Sequence, residues 1–303
     1  MSPQHSYNES SAVKSVVVTG GSGKAGRAII KELIAHSYTV MNVDVCAPAE
    51  TLCHFFKADL NDMGQAIDAL RQAAGTVDRR RTPLGRPTAV IHMAGIPAPG
   101  LSADAVTFKN NLMTTYNVFS AATLLGLERV VLASSETAYG LPLTRTPPAF
   151  APITEDHPLT PETGYALAKV LCEQMAREMH RWNPQTRFVG LRISNILEAS
   201  DYGMIESFWS NPALRKWNLW SWVDSRDVAQ ACRLALEADV PGADAFTIAA
   251  ADTVMRQSSR QLMKENFPAV PVSPDIGEFD TLLSIEKARR VLGYEPRHTW
   301  RKR

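Results

Sequence analysis

A β-branched run, Val16-Val17-Val18-Thr19, passes straight into a glycine cluster and then into a helix-like stretch from Lys24 to His36. This order of strand, turn and helix is the strongest constraint on the fold, because the same alternation recurs down the chain. Tyr38 to Asp44 and His54 to Lys57 read as strands, Asn61 to Ala74 as a helix, and Ala89-Val90-Ile91-His92 as a strand again. The long helical segment Ala103 to Leu127 precedes a strand at Arg129 to Ala133, and a further helical stretch, Thr163 to Arg181, precedes Val189-Gly190-Leu191-Arg192-Ile193. Repeated β-then-α units of this length lay their strands parallel and place helices on both faces. The sequence therefore predicts an α/β fold on a doubly wound parallel sheet.

After Ile193 the texture changes. Glu198 to Trp222 holds four tryptophans, Trp209, Trp217, Trp220 and Trp222, with no strand period. A small C-terminal domain is expected to begin there. Ser225 to Ala238 reads as a helix and Ala245 to Ala249 as a strand, so the chain is expected to rejoin the main sheet before leaving it again. The main domain then spans 13–195 and 222–250, the small one 196–221 and 251–303, and residues 1–12 are expected to be disordered.

Composition excludes several classes. With 303 residues and 45% hydrophobic content the chain can bury a large core. No apolar run approaches ~18 residues, and Met1 to Lys14 is polar, so neither membrane spanning nor secretion is expected and the cytoplasm is the expected compartment. Cys46, Cys53, Cys172 and Cys232 are scattered without a Cys-x-x-Cys pair, which argues against disulfides and against a metal site. The net charge is +1, and the one dense basic run, Arg79-Arg80-Arg81, lies among Gly75, Pro83, Gly85 and Pro87. That composition suits a solvated loop, and nucleic acid is not an expected partner.

Three patterns carry chemistry. Thr19-Gly20-Gly21-Ser22-Gly23-Lys24-Ala25-Gly26 joins a first strand to a first helix, where backbone N–H groups and the helix dipole can hold a pyrophosphate. Gly20 suits the tight turn, Gly23 the approach of phosphate, and Gly26 close packing of the helix. A glycine-rich turn without a ligand has the same pattern, so context must decide. Asp44 ends the second strand 24 residues after Gly20, close to the ~20-residue spacing at which an acid meets the adenosine ribose. A carboxylate there accepts from both ribose hydroxyls and repels a 2′-phosphate, favouring NAD over NADP, although Lys24 and Arg27 offset part of that repulsion. Tyr165 and Lys169 lie four apart in a helical stretch and leave one face a turn apart. An ammonium beside a phenol stabilises the phenolate and suits general acid–base work, while the same spacing also arises as an ordinary surface contact.

With these residues in place the chain resembles the extended branch of the short-chain dehydrogenase/reductases, also described as the NAD-dependent epimerase/dehydratase family, which has a Rossmann-type fold. The ordered motifs are Gly20, Gly23 and Gly26; Ala58-Asp59-Leu60; His92-Met93-Ala94-Gly95; Asn111 in Asn111-Leu112-Met113; Ala133-Ser134-Ser135-Glu136-Thr137-Ala138-Tyr139-Gly140; and Tyr165 with Lys169. Trp222-Val223-Asp224-Ser225-Arg226-Asp227 and Lys287-Ala288-Arg289-Arg290-Val291-Leu292-Gly293-Tyr294-Glu295-Pro296 extend the likeness to about Pro296. The resemblance implies that Ser135, Tyr165 and Lys169 form the catalytic group, with Asn111 supporting it. It implies dinucleotide contacts from Gly20, Gly23, Lys24, Ala25, Gly26, Asp44, Asp59, Leu60, Met93, Ala94, Gly95, Asn111, Tyr165, Lys169 and Ile193. It also implies substrate contacts from Ser135, Glu136, Pro97 and Asn195, and a homodimer paired through Ala103 to Leu127 and Thr163 to Arg181.

Departures from the family pattern narrow the activity. Its dehydratases carry Asp then Glu after the catalytic hydroxyl, where this chain has Glu136 and Thr137, so dehydration is disfavoured. Glu136 then reads either as a substrate-binding group or as a surface carboxylate. Nucleotide-sugar epimerases resemble one another in an Asn-x-Tyr-Gly-Pro turn, replaced here by Asn195-Ile196-Leu197-Glu198-Ala199, and only about 26 residues separate Asn195 from Trp222. Arg215 or Lys216 could stand in for a diphosphate-binding arginine. The compact region looks more like that of uronate and other sugar-acid dehydrogenases, implying net oxidation of a small polyhydroxy substrate. The four tryptophans could stack on a sugar or fill a core, and core filling is expected for at least two. A 4-epimerase with retained NAD and a non-catalytic dinucleotide sensor are the competing readings.

Overall fold

The computed structural model describes residues 15–72 and 88–302; the first dozen residues and the Arg79-Arg80-Arg81 run lie outside them. Strand β1 (Ser15–Thr19) buries all five residues, and its side chains alternate between two cores. Val16 and Val18 face one core and Val17 the other, as the two-residue period of a strand covered on both faces requires. Helix α1 (Lys24–Ala35) sets Ile29, Ile30 and Leu33 against the first of these cores. Strands β2 (Thr39–Asp44) and β3 (His54–Lys57), helix α2 (Met63–Gln72), strand β4 (Ala89–His92) and helix α3 (Asp104–Leu124) continue the alternation. Strand β5 (Arg129–Ser135), helix α4 (Gly164–Trp182) and strand β6 (Arg187–Ile193) complete it.

After β6 come two-residue strands β7 (Ile196–Leu197) and β8 (Val223–Asp224), which pair with each other. Helix α5 (Ser225–Glu237) leads to β9 (Ala243–Ile248), and α6 (Ser259–Asn266) and α7 (Glu286–Leu292) follow. The main sheet has the order β3-β2-β1-β4-β5-β6-β9, with every pairing parallel. The expected return of the chain to the sheet is therefore β9 against β6. Strand order reverses between β1 and β4, and such a switch point opens a crevice at the carboxyl ends of the strands.

Helix ends differ from the sequence expectation by a few residues. The long helix runs Asp104–Leu124 rather than from Ala103 to Leu127, and α1 stops at Ala35 where His36 was expected to continue it. Between β7 and β8 the backbone forms 3-10 turns at Ala199–Phe208 and Pro212–Asn218, which explains why neither strand nor helix period is legible there. Trp220 and Trp222 are fully buried in the core. Trp209 donates from Nε1 to Val254 O and stacks on Trp300 at 5.3 Å, so it too is committed to packing. Leu219 and Trp220 both have positive φ, 54° and 55°. Two L-residues in that region are strained, and burial of the Trp220 ring offsets the cost.

Candidate active site

The glycine turn sits at the switch point. Gly20 has φ +69°, and a Cβ there would meet Ala94 N at 2.7 Å and Met93 C at 2.8 Å. The β1 and β4 ends therefore approach one another as only glycine allows. A Cβ on Gly26 would lie 2.3 Å from Gly20 O, so the first turn of α1 packs directly on the glycine turn. Gly23 caps α1 without any side-chain bond to the first-turn N–H groups, and its open side meets only Gly20 O at 3.3 Å. Uncapped donors at a helix N-terminus bordered by glycine fit a pyrophosphate. Ala25 is buried beneath them.

Asp44 receives Ser22 N on Oδ2 (3.1 Å) and Cys46 N on Oδ1 (3.1 Å), which fixes its carboxylate at the end of β2 beside the turn. Its remaining lone pairs fit ribose hydroxyls. Asp59 is exposed and accepts from Asn61 N, while Leu60 is buried with its carbonyl held by Asn117 Nδ2. Lys24 and Arg27 are both engaged: Lys24 Nζ pairs with Asp201 at 2.6 Å and Arg27 Nη2 with Glu198 at 3.0 Å.

At the end of β4, His92 is clamped between Thr19 Oγ1 (2.8 Å) and Thr115 Oγ1 (3.2 Å). Complete burial pushes its pKa down to about 3, helped by the nearby Lys169 charge, so the ring is a neutral bridge. Asn111 accepts Ile96 N on Oδ1 (2.7 Å) and donates Nδ2 to Ile96 O (3.0 Å). It thus pins the loop from Gly95 to Pro97, and a Cβ on Gly95 would stand 2.9 Å from its Oδ1. Met93 and Ala94 are partly buried at the strand end, and Ile193 is buried at the end of β6.

Helix α4 begins with Thr163 accepting from Ala166 N at 3.1 Å, a cap that orients its first turn. Tyr165 is buried in that turn, and Lys169 Nζ stands 5.5 Å from the Tyr165 ring centroid. Lys169 donates to Ala133 O at 2.6 Å, tying α4 to β5 two residues before Ser135. Ser135 Oγ accepts from both Thr137 N (3.1 Å) and Thr137 Oγ1 (3.0 Å). Among the described residues no acceptor takes its own proton. Thr137, read in the sequence only as a departure from the dehydratase pattern, is thus the residue that orients Ser135.

Glu136 is buried, which excludes the surface-carboxylate reading. It accepts from Ser194 Oγ (2.5 Å) and from Asn218 Nδ2 (3.2 Å). Burial raises its pKa to about 7 against the lowering effects of Ser194 and Arg215. Arg215 is buried as well, donating to Asn195 Oδ1 (3.0 Å) and Ser221 O (2.9 Å) beneath the Phe208 and Trp217 rings. Arg215 Nε and Asn218 Oδ1 are buried atoms without a partner among the described residues.

The Glu136 shift has a consequence for stability. An acid with a folded-state pKa above its unfolded value of 4.5 holds its proton more tightly when folded. Its contribution therefore falls as pH rises from about 4.5 through about 7. Between pH 4 and pH 8 the wild type is expected to lose roughly 3 kcal/mol relative to Glu136→Gln. Urea unfolding of both proteins at the two pH values measures this, and parallel pH dependence would refute it.

The comparisons with known proteins bear on this geometry. A model of the NAD dependent epimerase/dehydratase family matches residues 16–249. The chain belongs to this family. Among its relatives in the NAD dependent epimerase/dehydratase family, the UDP-glucose 4-epimerase of Bacillus subtilis (strain 168) is 32% identical over 205 residues, covering 63% of this chain and 55% of that protein. UDP-glucose 4-epimerase 2 of Oryza sativa subsp. japonica is 28% identical over 210 residues, covering 64% and 47%. The chain spans about half the length of these curated relatives. Among solved structures, a short-chain dehydrogenase/reductase superfamily protein from Agrobacterium tumefaciens with bound NAD superposes with a TM-score of 0.70 at 24% identity, covering 95% of this chain and 94% of that one. A mutated uronate dehydrogenase gives 0.64 at 19% identity, covering 95% and 84%. These likenesses establish the fold. No helix among the described residues is long and apolar enough to cross a membrane.

Proposed function

We propose that the protein is an NAD-dependent dehydrogenase that oxidises a small free polyhydroxy compound, a sugar or sugar acid, through Ser135, Tyr165 and Lys169. NAD, when bound, would supply the acceptor for the hydride that leaves the substrate carbon. Gly20, Gly23 and Gly26 would admit its pyrophosphate, and Asp44 its adenosine ribose. Ser135 would hydrogen-bond the substrate oxygen through its hydroxyl, and Tyr165, acting as the phenolate, would take the substrate hydroxyl proton and become the phenol as that carbon becomes a carbonyl. Lys169 brings a positive charge to the same helix face and holds α4 against β5. Asn111 and Pro97 shape the facing loop.

The observation that carries the substrate class is the enclosed polar group beside Ser135. Arg215 spends its guanidinium on Asn195 and Ser221 and is not exposed to grip a diphosphate. On this reading 196–221 and 251–303 supply the substrate end, and 13–195 with 222–250 the dinucleotide end. Val106, Met113, Leu167 and Leu171, apolar and exposed on α3 and α4, support a homodimer paired through those helices. Matches to UDP-glucose 4-epimerases support a second reading, epimerisation on retained NAD.

Purified protein incubated with NAD or NADP and a panel of aldoses, uronic acids, aldonic acids and UDP-sugars tests the proposal. Continuous NADH formation from a free sugar or sugar acid supports it. Isomerised UDP-sugar without net NADH replaces it with the second reading.

A further inference from the structure

Lys24 and Arg27 are the two cations of the first α1 turns, beside the glycine loop. Arg27 Nη1 donates to Ser22 O at 3.3 Å, and Ser22 N is the group held by Asp44, so this guanidinium lies one peptide away from the carboxylate assigned to the ribose. A 2′-phosphate placed there would need cations of this kind to offset Asp44. Both are already taken. Their partners, Glu198 and Asp201, come from more than 170 residues downstream, at the start of the 3-10 turn Ala199–Phe208. The two acids are themselves locked by a reciprocal cap, in which Glu198 N donates to Asp201 Oδ2 at 2.9 Å and the Glu198 side chain accepts from the third backbone N–H of the turn. Backbone and lysine donors to Asp201 hold its carboxyl below the usual range, which keeps it charged.

We propose that Glu198 and Asp201 select NAD over NADP by withholding Arg27 and Lys24 from a 2′-phosphate, so that the choice rests on three carboxylates, two of them remote from the glycine motif. The proposal rests on the dinucleotide reading above. Both ion pairs are partly exposed, with side chains between 29% and 42% accessible, so neither is tight enough to be needed for folding. A dianionic phosphate would compete for the released cations once the acids are neutral.

The test is a pair of binding titrations, NAD and NADP, followed by quenching of tryptophan fluorescence on the purified chain. Glu198→Gln/Asp201→Asn keeps the cap's acceptor atoms and removes both charges. It is expected to tighten NADP binding by about tenfold while NAD binding changes by less than about threefold. The gain should shrink with added salt, and adding Arg27→Met and Lys24→Met to the double variant should abolish it. Unchanged NADP affinity, or equal weakening of both dinucleotides, overturns the proposal while leaving the dinucleotide reading standing. Absence of binding of either dinucleotide to the wild type overturns both.

Discussion

Tyr165→Phe is expected to lower kcat by roughly 10²–10⁴-fold, the range supplied by a positioned general acid or base, with NAD affinity nearly unchanged. The phenol is buried in the first turn of α4, and only its hydroxyl is lost on substitution, so the ring's packing survives. Steady-state kinetics together with a dinucleotide titration measures both quantities. Retention of more than a tenth of the wild-type kcat would remove Tyr165 from the chemistry, and with it the reason to prefer an enzyme over a dinucleotide sensor.

The second large effect concerns what holds α4 in place. Glu173, two turns beyond Tyr165, is buried against Arg192 of β6, which donates Nε to Oε1 (2.9 Å) and Nη2 to Oε2 (2.7 Å). Ser134 of β5 donates to the same Oε1 at 2.5 Å. The side chains are 2% and 5% accessible, so water cannot replace a lost partner. Glu173→Leu leaves a buried guanidinium without its carboxylate, and about 3–5 kcal/mol of stability should go with it. Glu173→Leu/Arg192→Leu removes both charges, and most of that loss should be recovered. Urea unfolding decides the matter: a single variant within about 1 kcal/mol of the wild type would mean that the ion pair does not hold the helix.

These two predictions separate what the sequence makes legible from what it hides. The strands His54–Lys57 and Ala89–His92 are bounded identically in sequence and structure: Ala89–His92 is buried at every residue and reads as a short apolar run, and His54–Lys57, at the sheet edge, reads as an aromatic pair between polar ends. The glycine turn, Asp44 and the Tyr165–Lys169 face are local in sequence, and each lies where its spacing places it. The Glu173–Ser134–Arg192 group and the Glu136–Ser194–Asn218 group are not local. Each joins residues from separate segments: β5–β6 register sets Ser134 beside Arg192, and helix α4 and the 3-10 turn Pro212–Asn218 bring Glu173 and Asn218 to these strand ends. Ser134 stands beside Arg192 and Ser135 beside Ile193 across β5 and β6, a pairing invisible from one segment at a time. The capture of Arg27 and Lys24 by Glu198 and Asp201 is hidden for the same reason, since a 3-10 turn leaves no period to read. Glu136 shows the limit most clearly: its position after Ser135 is equally consistent with a surface acid, and only the packing of Ser194 and Asn218 over it makes it a buried one.

The most direct test counts NADH formed per protomer when the protein is given excess NAD and a free sugar or sugar acid. The dehydrogenase account predicts many equivalents, accumulating steadily as substrate is consumed. No more than one equivalent, held on the protein while a UDP-sugar is isomerised, would contradict it.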